Sequence, residues 1–353
     1  MTSPGEFPFV SVVMPIRNER PYISRSLNAA LAQDYPADRM EVIVADGQST
    51  DGTREFVRSL QSAHPNLKLL DNAGRIAPTG LNAAVAVSKG EILVRVDGHC
   101  EISRDYVRGC VRLLREHGVE AVGGPLDTIG ETPLSRVIAV ATSSRFGVGG
   151  SAFRTVRNQT VLTDTVAFPA YTREAIERAG PFDEELLRNQ DDEYNYRLRE
   201  LGGRVLLSEE IPVRYWSRGS LRSLWRQYFQ YGFFKVRVFQ KHPRQMRARQ
   251  FVPPLFVGSL IVAISWAPFS AAGAWTLLGV AVAYAVANLA SSVEESRRLE
   301  SRTRPVLPLA FAILHFAYGL GFWVGLARFW NRWQWRGRRR SGRKAPKEGV
   351  GAA

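Results

Sequence analysis

The sequence predicts an α/β domain with a mostly parallel sheet, followed by C-terminal transmembrane helices. Three observations predict it. From Val10 to about Val213, short apolar runs alternate with segments of helical periodicity, the pattern of right-handed βαβ units. Long apolar segments begin at Phe251. Charge is split between the two regions. Residues 1–217 hold 25 basic and 29 acidic residues, and the remainder holds 22 basic and 4 acidic, so all of the +14 net charge flanks the apolar third. That distribution disfavours a nucleic-acid binder and fits a weakly acidic soluble domain attached to a membrane.

Val10–Met14, Val42–Ala45, Ile92–Val96 and Ala121–Gly123 read as strands. Helical patterns lie at Tyr22–Gln33, Thr53–Ser62, Pro78–Ser88 and Arg104–His117. Gly130–Gly180, rich in Gly, Ser and Thr, is long for a structureless loop and is expected to cover a ligand. The soluble domain is placed at 1–217. Residues 218–250 follow as an amphipathic segment with nine Lys or Arg and no acid, interleaved with aromatic residues. Such a segment just before an apolar block reads as an interfacial helix on an anionic leaflet.

The membrane region is placed at 251–328, with Phe251–Pro268, Ala271–Ala290 and Val306–Ala327 each near spanning length. Bases from Lys235 to Arg249, and Arg297, Arg298, Arg302 and Arg304, set those loops on the cytoplasmic side. A third full span would then put the basic tail, 329–353, outside, against the positive-inside rule. Either the rule is broken here, or Val306–Ala327 is re-entrant or interfacial. The tail itself reads as disordered. Cys100 and Cys110 form no CxxC, which suggests a reducing compartment and a cytosolic catalytic face. No signal peptide is visible in Met1–Phe9. The apolar segments hold few ionisable residues beyond His315, which disfavours a transporter.

Three motifs carry chemistry. Asp46-Gly47-Gln48-Ser49-Thr50-Asp51-Gly52-Thr53 is a strand–loop–helix junction, where open α/β sheets bind ligands. It is acidic and lacks the lysine of a P-loop, so its carboxylates suit the hydroxyl and N–H groups of a ribose or base. Asp97-Gly98-His99 puts a carboxylate and an imidazole two residues apart at a strand end, where both can face one divalent cation. Gln190-Asp191-Asp192-Glu193 reads as the acidic first turn of a helix, a rigid mount for a general base.

Together with Pro15-Ile16-Arg17-Asn18-Glu19, these motifs in this order resemble family 2 glycosyltransferases with a GT-A fold, over roughly residues 8–240. The chain is most similar to the succinoglycan-biosynthesis (ExoA-like) group, with Phe146–Gly150, Arg154 and Asp164-Thr165-Val166 as supporting segments. The resemblance implies that Pro15 and Glu19 shape a nucleotide pocket read by Asp46, with Arg17, Asp51, Arg75 and Asn82 in the same donor set. Asp97 matches the first Asp of a metal-binding DxD, and His99 stands where the last Asp usually sits, so the ion is Mn²⁺ or Mg²⁺. Asp191 matches the catalytic base. Asp164, Asp192, Glu193 and Gln227 fall in the acceptor or donor-sugar region. Gln230 and Tyr231 replace the Arg and Trp of a processive QxxRW motif, which argues against a processive synthase.

The expected activity is inverting transfer from a UDP-sugar to a lipid-linked saccharide in surface or exopolysaccharide synthesis. The expected location is the plasma membrane, multi-pass, with a cytoplasmic catalytic domain. Direct glycosylation of polyprenyl phosphate and a catalytically inactive membrane scaffold are the alternatives.

Overall fold

The computed structural model describes residues 7–217 and 219–333, so most of the predicted basic tail lies outside the described residues. Eleven strands and the helices between them appear among these residues, and the four predicted strands are all present. They are β1 (Val10–Ile16), β2 (Met40–Asp46), β4 (Ile92–Arg95) and β6 (Ala121–Gly123). Every residue of these four is buried, as strands covered on both faces by helices require. The remaining strands are β3 (Leu67–Asp71), β5 (Cys100–Ile102), β7 (Leu126–Ile129), β8 (Thr160–Leu162), β9 (Ala170–Thr172), β10 (Val205–Ser208) and β11 (Val213–Trp216).

The main sheet has the order β3-β2-β1-β4-β9-β6-β10-β8. β9 and β8 run antiparallel to their neighbours, and all other pairings are parallel. A three-stranded sheet, β5-β11-β7, lies beside it. The chain builds β1, β2 and β3 in one direction and then returns to add β4 on the other side of β1. This reversal opens a crevice at the carboxyl ends of β1 and β4.

The helices are α1 (Ile23–Leu31), α2 (Thr53–Gln61), α3 (Ala77–Val87), α4 (Tyr106–His117), α5 (Pro133–Ser143), α6 (Arg145–Val148), α7 (Ala152–Thr155), α8 (Arg173–Ala179), α9 (Gln190–Glu200), α10 (Leu221–Lys241), α11 (Val252–Trp266), α12 (Ala271–Glu295) and α13 (Leu307–Arg328). The segment 130–180 is therefore mostly regular. A capping box, with Thr132 Oγ1 accepting from Ser135 N at 3.1 Å, starts α5.

Three stretches are long and apolar enough to cross a membrane: Val252–Phe269, Ala271–Arg298 and Arg304–Arg328. The last is one continuous helix over Leu307–Arg328, which removes the re-entrant reading. It is also half buried inside the protein, against 17% and 11% for the other two.

Candidate active site

The loops that follow β1, β2 and β3 bind one another. Asn18 N donates to Ser49 Oγ at 2.9 Å, and Thr50 N donates to Asn18 Oδ1 at 2.9 Å. Glu19 N donates to Thr53 Oγ1, and Arg20 N to Asp51 Oδ2. Arg17 reaches the Arg75 carbonyl at 3.3 Å. Asn18, Gln48 and Arg75, one per loop, all hold positive φ (55–57°) without being glycine. Such backbone is costly and persists where surroundings enforce it, often at ligand sites. The result is a braced shelf over the ends of three strands.

Beside that shelf lies a residue the sequence reading missed. Arg95, 3% exposed at the end of β4, joins the two predicted chemical motifs. Its Nε donates to Asp97 Oδ1 at 2.9 Å and its Nη2 to Asp97 Oδ2 at 3.2 Å. Its third nitrogen pairs with Asp191. The available signal was an arginine inside an apolar strand, where a charge survives only if paired.

His99 Nδ1 lies 2.9 Å from Glu19 Oε1. A Cβ on Gly98 would come 2.7 Å from Glu19 Cγ, so glycine is needed for this approach. With Nδ1–H donating to the carboxylate, Nε2 keeps its lone pair, as in a metal-binding histidine whose other ring nitrogen is held by a carboxylate. Asp97 retains oxygen lone pairs beyond its bonds to Arg95. The pair therefore fits a divalent ion whose remaining ligands are substrate oxygens and water. Among the described residues no cluster of three or more His, Cys, Asp or Glu is arranged to hold an ion without such help.

Asp191 sits in the first turn of α9, whose start is fixed from α10. Asn189, in left-handed backbone (φ 62°), donates from Nδ2 to the Tyr231 carbonyl at 2.8 Å. Asp192 pairs with the buried Lys235 of α10. Asp97, His99, Asp191 and Asp192 all line one cavity of about 720 Å³. Gln227 also lines it, donating to Tyr231 Oη at 2.8 Å. The cavity continues past Arg145 and Arg154 to Phe256 of α11, Tyr284 of α12 and Tyr318 of α13. The Arg154 guanidinium donates to the Thr142 carbonyl and lies over the rings of Phe153 and Tyr215, and among the described residues no ion pair joins it or Arg145 to a carboxylate. The segment 145–154, quoted for its resemblance but given no role, thus lines the middle of the cavity.

The sequence matches the family model described as Glycosyl transferase family 2 over residues 11–180. It is 30% identical to the succinoglycan biosynthesis protein ExoA of Rhizobium meliloti (strain 1021), over 91% of this chain and 96% of that protein. The chain belongs to glycosyltransferase family 2. This family 2 transferase is also 26% identical to a Methanococcus voltae enzyme over 66% of the chain and 74% of the relative. That enzyme is named dolichyl N-acetyl-alpha-D-glucosaminyl phosphate 3-beta-D-2,3-diacetamido-2,3-dideoxy-beta-D-glucuronosyltransferase. Among solved structures, mannosyltransferase PcManGT from Pyrobaculum calidifontis, in complex with GDP-Man and Mn²⁺, aligns at TM-score 0.58 and 25% identity. The alignment covers 92% of this chain and 90% of that one, and the fold is GT-A.

Four residues of the transferase expected at ligands have partners within the protein. Asp46 is fully buried, enclosed by Ser49 N and Oγ and by Arg54 Nη1 at 3.0 Å, contacts that shape its loop. The Asn82 amide is taken by the Phe182 backbone N and O and by Glu184, tying α3 to the α8–α9 connection. Asp164, 5% exposed, binds Arg249 at 2.5 Å just before α11. Glu193 turns away from the cavity to Arg197 (2.8 Å) and His242 Nε2 (3.0 Å). Of the remaining donor set, Pro15 is buried in β1 and Asp51 holds the start of α2 by accepting from Thr53 N and Oγ1.

The Glu193–His242–Glu200 cluster predicts a pH dependence. Burial alone would lower the His242 pKa, but bonds to Glu193 and Glu200 raise it above its ordinary value. A group raised on folding contributes fully below its unfolded pKa and loses that contribution as pH rises through its folded pKa. The thermal midpoint difference between the native protein and His242→Gln is expected to be larger at about pH 6 than at about pH 9. An equal difference at both would show that the imidazole charge adds nothing.

Proposed function

We propose that this chain is a membrane-anchored, inverting transferase that moves a sugar from a UDP-sugar to a lipid-linked saccharide acceptor in surface-glycan synthesis. The supporting observation is the single cavity that reaches from Asp97 and Asp191 to the rings of Phe256 and Tyr284 on the apolar helices. A lipid-linked acceptor presents a sugar hydroxyl, phosphate groups and a hydrocarbon chain in that order. The cavity offers carboxylates, then unpaired guanidinium groups, then aromatic and aliphatic walls. The Tyr318 hydroxyl, buried on the cavity wall without a hydrogen-bond partner among the described residues, suits a further polar atom of the acceptor. The relatives named for succinoglycan and for a dolichyl-phosphate sugar fit the same acceptor class.

In this reading Asp191 accepts the proton of the acceptor hydroxyl as its oxygen attacks the anomeric carbon. The bond to the nucleoside diphosphate breaks on the opposite face, which inverts the centre. Asp97 and His99 would hold a divalent ion, which when bound neutralises charge developing on the diphosphate. Arg95 fixes Asp97 and Asp191 relative to each other, so the two ends of the reacting bond are registered by one buried side chain. The braced loops at Arg17–Glu19, Gln48–Asp51 and Arg75 receive the nucleotide.

Purified protein screened with UDP- and GDP-sugars, a divalent ion and membrane lipid extract tests the proposal. Turnover that requires extract and yields an extractable glycolipid supports it. Extract-independent transfer to water or a soluble saccharide would overturn the lipid acceptor. Arg154→Gln is expected to raise the acceptor KM roughly tenfold or more, as a charge-assisted bond of about 1.5–3 kcal/mol is lost. An unchanged acceptor KM would remove Arg154 from the acceptor site.

A further inference from the structure

We propose that only two of the three apolar helices cross the bilayer. α11 and α12 form a transmembrane hairpin, whereas α13 lies in the plane of the interface on the catalytic domain's side. Both ends of α13 are tied to that domain. Just before it, Glu300 pairs with Arg136 of α5 at 2.5 Å, and Leu307, Ala310, Phe311 and Leu314 share a core with Val137, Ile138 and Ala141 of α5. Just after it, Arg332 pairs with Glu185 at 2.5 Å, and Gln240 donates to the Phe329 carbonyl at 2.8 Å. A 22-residue helix is about 33 Å long, enough to cross a hydrocarbon core of about 30 Å. If it crossed, its ends could not both hold one folded domain on one side.

Packing agrees. α13 lies along α10 with glycines at the contact: a Cβ on Gly321 would sit 2.1 Å from the Phe229 carbonyl, and one on Gly325 2.6 Å from that of Phe233. α10 is itself held to the catalytic domain by the pairs of buried Lys235 with Asp192 and buried Arg237 with Glu185. Such pairs belong beside the domain and not in hydrocarbon. Against the hairpin, α13 meets the first turns of α11 and the domain-proximal half of α12. Trp323 Nε1 donates to the Pro254 carbonyl, His315 Nδ1 lies 3.0 Å from Tyr284 Oη, and Asn288 Nδ2 donates to the Pro308 carbonyl. At the distal turn Trp266, Phe269 and Trp275 are exposed.

This placement removes the conflict with the positive-inside rule. The bases before α11, those between α12 and α13, and Arg328 and Arg332 all fall on one side. The distal link Ala267–Ser270 carries no charge. Exposed Trp323 and Trp330 then sit at headgroup level, where tryptophan is enriched.

Single cysteines at Ala272→Cys, Ser301→Cys and Asn331→Cys in the full chain, probed in sealed oriented membrane vesicles with a membrane-impermeant maleimide, test this topology. Native Cys100 and Cys110 are buried and stay silent in the folded protein. Labelling of 301 and 331 from one face and of 272 from the other is the expected result. Labelling of 331 from the same face as 272 would make α13 a third span and overturn the proposal. Labelling of all three from one face would deny the hairpin and overturn it as well. Arg302→Cys and Trp330→Cys give the same readout if either neighbouring variant fails to accumulate.

Discussion

Asp191→Asn is expected to fold, to bind donor nucleotide within about twofold of the native protein, and to lose transfer by roughly 10²–10⁴-fold, the range that a positioned base contributes. The substitution keeps the side chain's shape and an oxygen that can accept from Arg95, which also retains its two bonds to Asp97, so the scaffold loses less than when Arg95 itself is removed. What it removes is the carboxylate charge that makes that side chain a base. Donor binding followed by calorimetry and transfer followed by glycolipid product separate the two effects. Near-normal turnover would refute the assignment and move the base to another cavity carboxylate, with Asp192 next in line despite its pairing with Lys235.

Arg95→Met is expected to give the largest loss of stability among site substitutions. Removing one partner of a buried ion pair typically costs about 3–5 kcal/mol. The carboxylates left behind keep some contact with solvent, at 18% exposure for Asp97 and 26% for Asp191, so the lower end, about 3 kcal/mol, is expected. That corresponds to a drop of roughly 6–12 °C in thermal midpoint for a domain of this size. Arg95→Lys separates charge from geometry. It keeps one cation but cannot form the fork to Asp97 and reach Asp191 together, so it should recover stability more than activity. Full activity in the lysine variant would show that registering the two carboxylates is unnecessary.

The central strands were legible because β1, β2, β4 and β6 are buried on both faces and read as unbroken apolar runs. β3 was not, since Leu67–Asp71 lies at the sheet edge with only its first residue buried. β9 is three residues long, too short to carry a period, although it closes the wall beside β4. Asp97, His99 and Asp191 were readable as chemistry because the family places them in order. Their connection was not. Arg95 reaches Asp191 across 96 positions, and the pairs Asp192–Lys235 and Asp164–Arg249 span 43 and 85 positions. No local pattern encodes such distances. The ion pairs of Asp164 and Glu193 were hidden for that reason, since an acidic residue looks the same in sequence whether it meets substrate or an arginine.

The cavity wall has an owner on each side of the chain's compositional divide. Arg95, Asp97 and Asp191 come from the acidic part, and Phe256, Tyr284 and Tyr318 from the apolar part. Cutting after Ser217 to obtain a water-soluble enzyme would therefore remove the aromatic part of that wall together with the apolar helices. On the proposed reading, such a fragment would retain the shelf for the nucleotide, the base and the guanidinium groups of Arg145 and Arg154, yet lose the aromatic end of the cavity that the acceptor's hydrocarbon requires. Replacing the hairpin by an unrelated anchor would fail in the same way. If the proposed acceptor is right, membrane attachment and acceptor choice are inherited as a single trait.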